Sequence, residues 1–561
     1  MLFSTLDYIV FALYGAVIIG LGLWVSREKD GHQKDTSDYF LASKSLPWWA
    51  IGASLIASNI SAEQFIGMSG SGFRVGLAIA SYEWMAAITL LVIAYWFLPI
   101  YLEKGIFTMP QFLEKRYDSR VRTLLAIFWL LVYVFVNLTS VLYLGALAME
   151  GIMGVPLWSG IAGLAAFAAV YSLYGGLKAV AWTDVVQVVV LVGGGLLTTY
   201  LALDAYGAGA GSIAGFIKLV KEVPGHFNMV LFPGELMYQD LEAGQLVTKD
   251  AYALLPGLGV LLGGMWVANL YYWGFNQYII QRTLAAKSLK EAQKGILFAA
   301  FLKLIIPLIV VIPGIAAYVM INDPAVMSRL GDIAIQNLPS AEAADKAYPW
   351  LLQFLPIGLK GLAFAALSAA IVSSLASMLN STSTIFTMDI YKPYFNKNAS
   401  DKATVNMGRI SGAVALIIAC IMAPLLGGID QAFQFIQEYT GVVSPGILAV
   451  FLLGLFWKKT TNKAAIIGVI CSIPIAMYFK VAPKGWSTAS VFVDVPFMNQ
   501  MGYTLILTML VICIASYIEN RGVNDYKGIK LSKSLFKTSP VFNIGAYAIL
   551  MILTALYAIL W

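Results

Sequence analysis

Stretches of about twenty apolar residues return from one end of this chain to the other, and they restrict it to folds for which lipid is the solvent. Fourteen are read here, at 7–26, 47–72, 77–101, 122–150, 157–175, 180–203, 253–278, 292–320, 356–390, 407–427, 430–455, 463–480, 501–518 and 541–560. A helix needs roughly 20 residues to cross about 30 Å of hydrocarbon, and most of these blocks have them. A closed barrel would show strands of about ten residues with alternating polarity, and these blocks are too long and too evenly apolar. Of 561 residues 60% are hydrophobic and only 12% charged; a soluble domain carries about 25% charge. The expectation is an all-α polytopic membrane protein with 14 transmembrane helices. Arg27 and Lys29 follow the first block with no small-residue cleavage site, so that block reads as a retained helix.

The net charge of +6 is small for the length and does not point to nucleic acid. Its basic residues fall in short patches between the apolar runs, and with both termini outside 26 of the 36 Lys and Arg lie on the inner side. Cys420, Cys471 and Cys513 all sit within apolar stretches, which argues against a disulfide framework. His32 and His226 have no Cys or His neighbour at metal-ligand spacing, so neither structural zinc nor haem is expected. Two outer loops, 204–252 and 321–355, read as surface segments capping the bundle, with an amphipathic patch at Ile213–Val223. The stretch Gly234–Lys249 is too polar to cross and carries no assigned chemistry.

Ionisable and amide side chains inside spans are the informative exceptions, because each costs several kcal/mol unless it faces protein or water. They are Glu63 and Gln64, Glu83, Asp184, Asn269, Lys303, Gln437 and Glu438. One alone could be satisfied by a neighbouring helix, but five or more in separate spans imply a shared polar cavity. Lys303 lies about 12 Å into its span by helix rise, too deep to snorkel, and Glu83 is a candidate partner. Amides, a carboxylate and an ammonium together suit a neutral molecule dense in hydroxyls. Tyr272, beside Trp273 and Gly274, is placed to stack on such a ring.

The second span runs Ser54-Leu55-Ile56-Ala57-Ser58-Asn59-Ile60-Ser61-Ala62-Glu63-Gln64, followed by Gly67, Gly70 and Gly72. Ser and Asn compete for backbone hydrogen bonds and Gly weakens the helix, so this crossing is expected to unwind midway. A similar interruption falls at Tyr271–Asn276. Each interrupted span opens a run of five crossings, 47–203 and 253–455; five is odd, so the second run begins on the opposite side, the arithmetic of an inverted repeat. Residues 1–46 then hold a peripheral helix and inner loop, 204–252 an outer loop, and 456–561 three further peripheral helices. In the ninth span, Ser373 and Ser374 either bond their own helix or join carbonyls at Ala57, Ile60 and Ala370 around a cation. Five oxygens without a carboxylate suit a monovalent ion and not calcium. Asp184 could attract that ion on its inward path.

Four segments, Ile60–Ser71 (ISAEQFIGMSGS), Gly175–Gln187 (GGLKAVAWTDVVQ), Ala268–Gln281 (ANLYYWGFNQYIIQ) and Ser373–Asn380 (SSLASMLN), resemble the sodium:solute symporter family, in particular its bacterial galactose-carrying branch. The resemblance implies two inverted five-helix repeats of the leucine-transporter type, both termini outside, in the bacterial inner membrane. It implies sodium-driven uptake of galactose or glucose by alternating access, with no cofactor, sodium as a co-transported ligand and no obligate protein partner. By matching position the sugar falls to Gln64, Glu83, Asn269, Lys303 and Gln437, with Tyr272 as inner gate and Met68, Tyr82 and Phe433 covering from outside. Sodium falls to Ala57, Ile60, Ala370, Ser373 and Ser374, with Asp184 on the release path. Ala86 stands where the relative has a sugar-contacting serine, so the epimer preference is not carried over, and the outer loop at Glu235–Lys249 is longer.

One apparent cation site predicts one sodium per sugar. Inositol, proline or a sialic acid are the alternative solutes, although a carboxylate would want an unpaired cation. A sensor would need a signalling module, and 519–540 is too short for one. A channel would conduct without coupling, and no nucleophile–base cluster suggests an enzyme.

Overall fold

The computed structural model describes residues 3–27, 34–242, 245–331, 338–340, 343–427, 432–481 and 495–561, with no side-chain description for 241–242, 330, 432–436 and 439. Among the described residues twelve helices are long and apolar enough to cross a membrane. Two of the fourteen predicted spans fall outside that set, each for a local reason. The span predicted at 47–72 is divided into Trp48–Asn59, a wide π-turn at Glu63–Met68 and Ser69–Val75. The span predicted at 430–455 is helix Ala432–Phe456, of which only Thr440–Phe456 meets the apolar criterion.

A spine organises the centre. Helix Leu289–Asn322 runs alongside both halves of the divided crossing. Gly52 and Gly295 meet where a Cβ on either would collide with the facing backbone, and the same holds beyond the break at Gly72 against the Val311 carbonyl and Gly314 against that of Ser69. Small residues let lipid-embedded backbones approach this closely, and dispersion between them replaces the hydrophobic drive that is absent in a bilayer. Lys303 lies about 12 Å along the helix from Gly295 and from Val311, so these contacts hold it opposite the break. Behind the divided crossing, helices Leu177–Tyr206 and Leu359–Ile385 pack together, with Gly194 against Ala366.

Within the polar stretch 234–249 the described residues form two strands. Met237–Glu242 and Gln245–Asp250 pair antiparallel as a hairpin. Its Asp240 takes both Arg74, at the end of helix Ser69–Val75, at 3.0 Å and Lys249 at 2.7 Å. Helix Ser212–Glu222 fulfils the amphipathic expectation, exposing Ile213 and Ile217. From the other loop, Tyr348 and Trp350 are buried in the cap and not on a free surface, so that loop is part of the core.

Not every basic residue counted toward topology is a loop charge. Arg116 is buried and donates to the carbonyls of Gly454 (2.8 Å), Trp457 (3.2 Å) and Thr460 (3.0 Å), satisfying the last turn of helix Ala432–Phe456, with Asp525 3.7 Å away. Arg122 bridges Asp389 (2.8 Å) and Glu114. Replacing Arg116 by Ala takes the guanidinium donors from the Gly454 and Thr460 carbonyls and the cation from beside Asp525. Arg116→Ala is expected to cost about 3 kcal/mol or more, read as a lowered thermal midpoint in detergent, whereas the exposed Arg120→Ala changes stability by about 0.5 kcal/mol at most.

Candidate functional site

The break in the divided crossing has an identifiable cause. Helix Trp48–Asn59 makes its last ladder bond from the Ile60 amide to the Ile56 carbonyl. The next amides are diverted: Ser61 N donates to Gln64 Oε1 at 2.9 Å and Glu63 N to Ser61 Oγ at 3.1 Å, while Gln64 N returns to the Ser61 carbonyl. Ladder donors to Ala57, Asn59 and Ile60 are thereby lost. Ile60 itself is extended, at φ −75° and ψ 112°. Serine and amide side chains outcompete the helix for their own backbone, and the freed Ile60 carbonyl is met by helix Leu359–Ile385.

Ser374 on that helix donates to two of the local carbonyls, Ser58 at 3.0 Å and Ile60 at 3.3 Å. Ser373, its neighbour, turns to Asp184 instead, donating to Oδ1 at 2.5 Å. Asp184 also accepts from Ser54 at 2.5 Å, which joins it to the hydroxyl cluster. Ala57 and Ala370 are buried on the two facing helices. Arg282 supplies the cluster's positive charge. It is fully buried, donates to Ser54 at 3.1 Å, and also bonds Ser377 and the Tyr278 carbonyl. An arginine just beyond an apolar run reads from sequence as an inner-loop charge; Arg282 is instead a core residue, buried beside the Asp184 carboxylate.

On the other side of the break lies a second polar group. Lys303 Nζ pairs with Glu83 and with the Asn59 side-chain oxygen, and stands 5.0 Å from the Trp273 ring centre. Lys303 is 1% exposed and Glu83 3%, so the expected partnership is a dry one. Asn59 Nδ2 donates to the Tyr272 hydroxyl at 3.0 Å, which also accepts from Tyr278 at 2.6 Å. Tyr272 lies at the end of helix Met265–Phe275, which breaks at Asn276 with φ −76° and ψ 121°. One turn earlier on the same helix, Asn269 is buried and its Nδ2 has no partner among the described residues. An orphaned buried donor of this kind calls for a ligand or water.

The remaining candidates divide. Met68 is buried on the π-turn, and Tyr82 is buried directly before Glu83. Gln64 uses its oxygen on Ser61 at 2.9 and 3.0 Å, which leaves its amide nitrogen for a ligand. Glu63 accepts from Ser140 at 2.9 Å. Gln437 is half-buried on helix Ala432–Phe456. The Phe433 side chain lies outside the described residues. Sequence reasoning gave no site role to Asn59, Arg282 or Ser377. Asn59 was visible as part of the polar run that breaks the helix, and Ser377 as one turn beyond Ser373. Among the described residues no group of His, Cys, Asp and Glu could hold a metal.

Comparison with known proteins gives the family. The chain is 62% identical over 558 residues to the sodium/glucose cotransporter of Vibrio parahaemolyticus, covering 100% of this chain and 98% of that protein. It is 34% identical over 479 residues to the sodium/myo-inositol cotransporter 2 of Sus scrofa, covering 84% of this chain and 69% of that protein. In fold it matches a substrate-bound, outward-open sodium-coupled sialic acid symporter at TM-score 0.75 and 22% identity, over 92% of this chain and 98% of that one. The family described as "Sodium:solute symporter family" matches residues 39–472, a segment that contains both breaks and both polar groups, and the chain belongs to that family of transporters.

Proposed function

We propose that this multi-pass membrane protein couples sodium entry to uptake of a neutral hexose, glucose or galactose, with one sodium per sugar. The similarity to a sodium/glucose cotransporter over the full chain supports the coupled ion and the substrate class. Fourteen crossings, with inverted repeats over 47–203 and 253–455, are the architecture this reading uses. The two breaks favour it, since Ile60 and Asn276 each interrupt the first crossing of their run with nearly the same backbone angles. The distribution of basic residues favours both termini outside, and the bacterial relative favours an inner-membrane location.

One observation carries the coupling: the two polar groups are one residue apart. Asn59 holds Lys303 and Tyr272 through its side chain, and the next carbonyl, Ile60, accepts from Ser374. Sodium held by the oxygens of Ala57, Ile60, Ala370, Ser373 and Ser374 would fix the break, and with it Asn59 and the pocket beyond. Each ligand then tightens the other, as linkage requires. Asp184 lowers the energy of the cation as it leaves, and Tyr272 yields when Asn59 lets go. The sugar's hydroxyls take Glu83, Lys303, Asn269, Gln64 and Gln437, with Met68, Tyr82 and Phe433 closing over it. One charge entering down about 100 mV supplies about 2.3 kcal/mol, enough for about 50-fold accumulation. Because Glu83 neutralises Lys303, an anionic solute such as a sialic acid is a poor fit; a cyclic polyol such as inositol is the rival that shares the hydroxyl pattern.

Purified protein in sealed vesicles is expected to concentrate labelled galactose or glucose only under an inward sodium gradient, and excess sugar should suppress that uptake more than inositol or proline does. Equal uptake in choline would overturn the reading. Ser374→Ala should raise the sodium concentration needed for half-maximal uptake; an unchanged requirement would return that hydroxyl to a purely helical role. Lys303→Ala removes sugar binding and also strands Glu83, costing about 3–5 kcal/mol of stability. The pair Lys303→Met with Glu83→Gln should recover most of that stability but not the sugar affinity, so thermal midpoint and binding separate the two effects.

A further inference from the structure

A groove of about 400 Å³ opens on the outside of the bundle between helix Leu289–Asn322 and the last helix, Pro540–Ile559. Its walls are apolar: Leu297, Phe298 and Phe301 on one helix, Val541, Ala548 and Ile552 on the other, with Trp48 at one end. The exception is Lys294. Both helices begin at the end of the groove where Lys294 and Val541 lie, so its charged end faces the membrane surface and its apolar length runs into the hydrocarbon. From Val541 to Ile552 is about 16 Å by helix rise, most of the length of an acyl chain. Among the described residues no carboxylate stands within ion-pair distance of Lys294. The nearest acid in sequence, Glu291, is turned to the Trp48 amide at 2.9 Å.

We infer that this groove holds an anionic glycerophospholipid, one acyl chain along Leu297, Phe301 and Ile552 and the phosphate at Lys294. Charge complementarity selects the occupant: a lipid without net negative charge fills the apolar length equally well but leaves the one unpaired ammonium in the groove unanswered. The position matters to the rest of the molecule. Trp48 is the first residue of the inner half of the divided crossing and packs edge-on against Phe298, ring centres 5.7 Å apart. A lipid seated here touches the half-helix that ends at Ile60, so the headgroup composition of the leaflet bears on the break without contacting either polar group.

The test is lipid retention by the full-length protein, which does not depend on the transported solute. Detergent-purified protein is offered equal phosphatidylglycerol and phosphatidylcholine of matched chains, and bound lipid is counted by native mass spectrometry. One lysine at a membrane surface corresponds to about a five-fold preference for the anionic lipid. Lys294→Gln should bring that preference close to parity, and Ala548→Trp, which fills the groove, should lower retention of both lipids. Lys290→Gln, one turn away and outside the groove, should keep the wild-type preference. Thermal midpoints verify that each variant is folded. Parity in the wild type, or an undiminished preference in Lys294→Gln, would overturn the assignment and leave the groove as ordinary contact with bulk lipid.

Discussion

Three lost helical hydrogen bonds, to the carbonyls of Ala57, Asn59 and Ile60, make the rest of this structure possible. In a bilayer an unsatisfied carbonyl costs several kcal/mol, so a break survives only where other groups take over. Here Ser61 and Gln64 consume the amides that would have continued the ladder, and Ser374 reaches across from another helix to two of the carbonyls around the break. The neighbouring elements are then fixed by need: a hydroxyl-bearing helix on one face of the break, an ammonium-bearing one on the other.

The buried charges form two groups with different balances. Glu83 and Lys303 neutralise each other, with Asn59 completing the ammonium's coordination. Asp184 and Arg282 lie in the hydroxyl cluster and are joined through Ser54, which donates to the first and accepts from the second. Breaking either pair would leave an uncompensated charge in low dielectric, which is more expensive than never having had the pair. Both pairs are therefore structural obligations, which is why their removal must be read against a neutralised double variant.

Much of this was legible in the chain. Long apolar blocks revealed the spans, the run Ser58-Asn59-Ile60-Ser61 within the second of them revealed the break, and Lys303 with Glu83 followed from the cost of an ammonium at depth. What was hidden depends on three-dimensional neighbours. Arg282 follows an apolar run and resembles any inner-face charge; only Asp184, about a hundred residues earlier, explains its burial. Arg116 likewise reads as a topology signal until helix Ala432–Phe456 ends beside it. The hairpin at Met237–Asp250 escaped because its strands carry no apolar alternation for a core; Arg74 and Lys249 hold it through Asp240.

Helix Leu289–Asn322 is seated by glycines against the divided crossing both before and after its break. A bar clasped at two points cannot let one half swing freely while the other stays, unless the seam between them bends. A ligand wedged against Asn59 and Ile60 would hold that seam rigid, so that the two halves and the bar they clasp could move only as one piece.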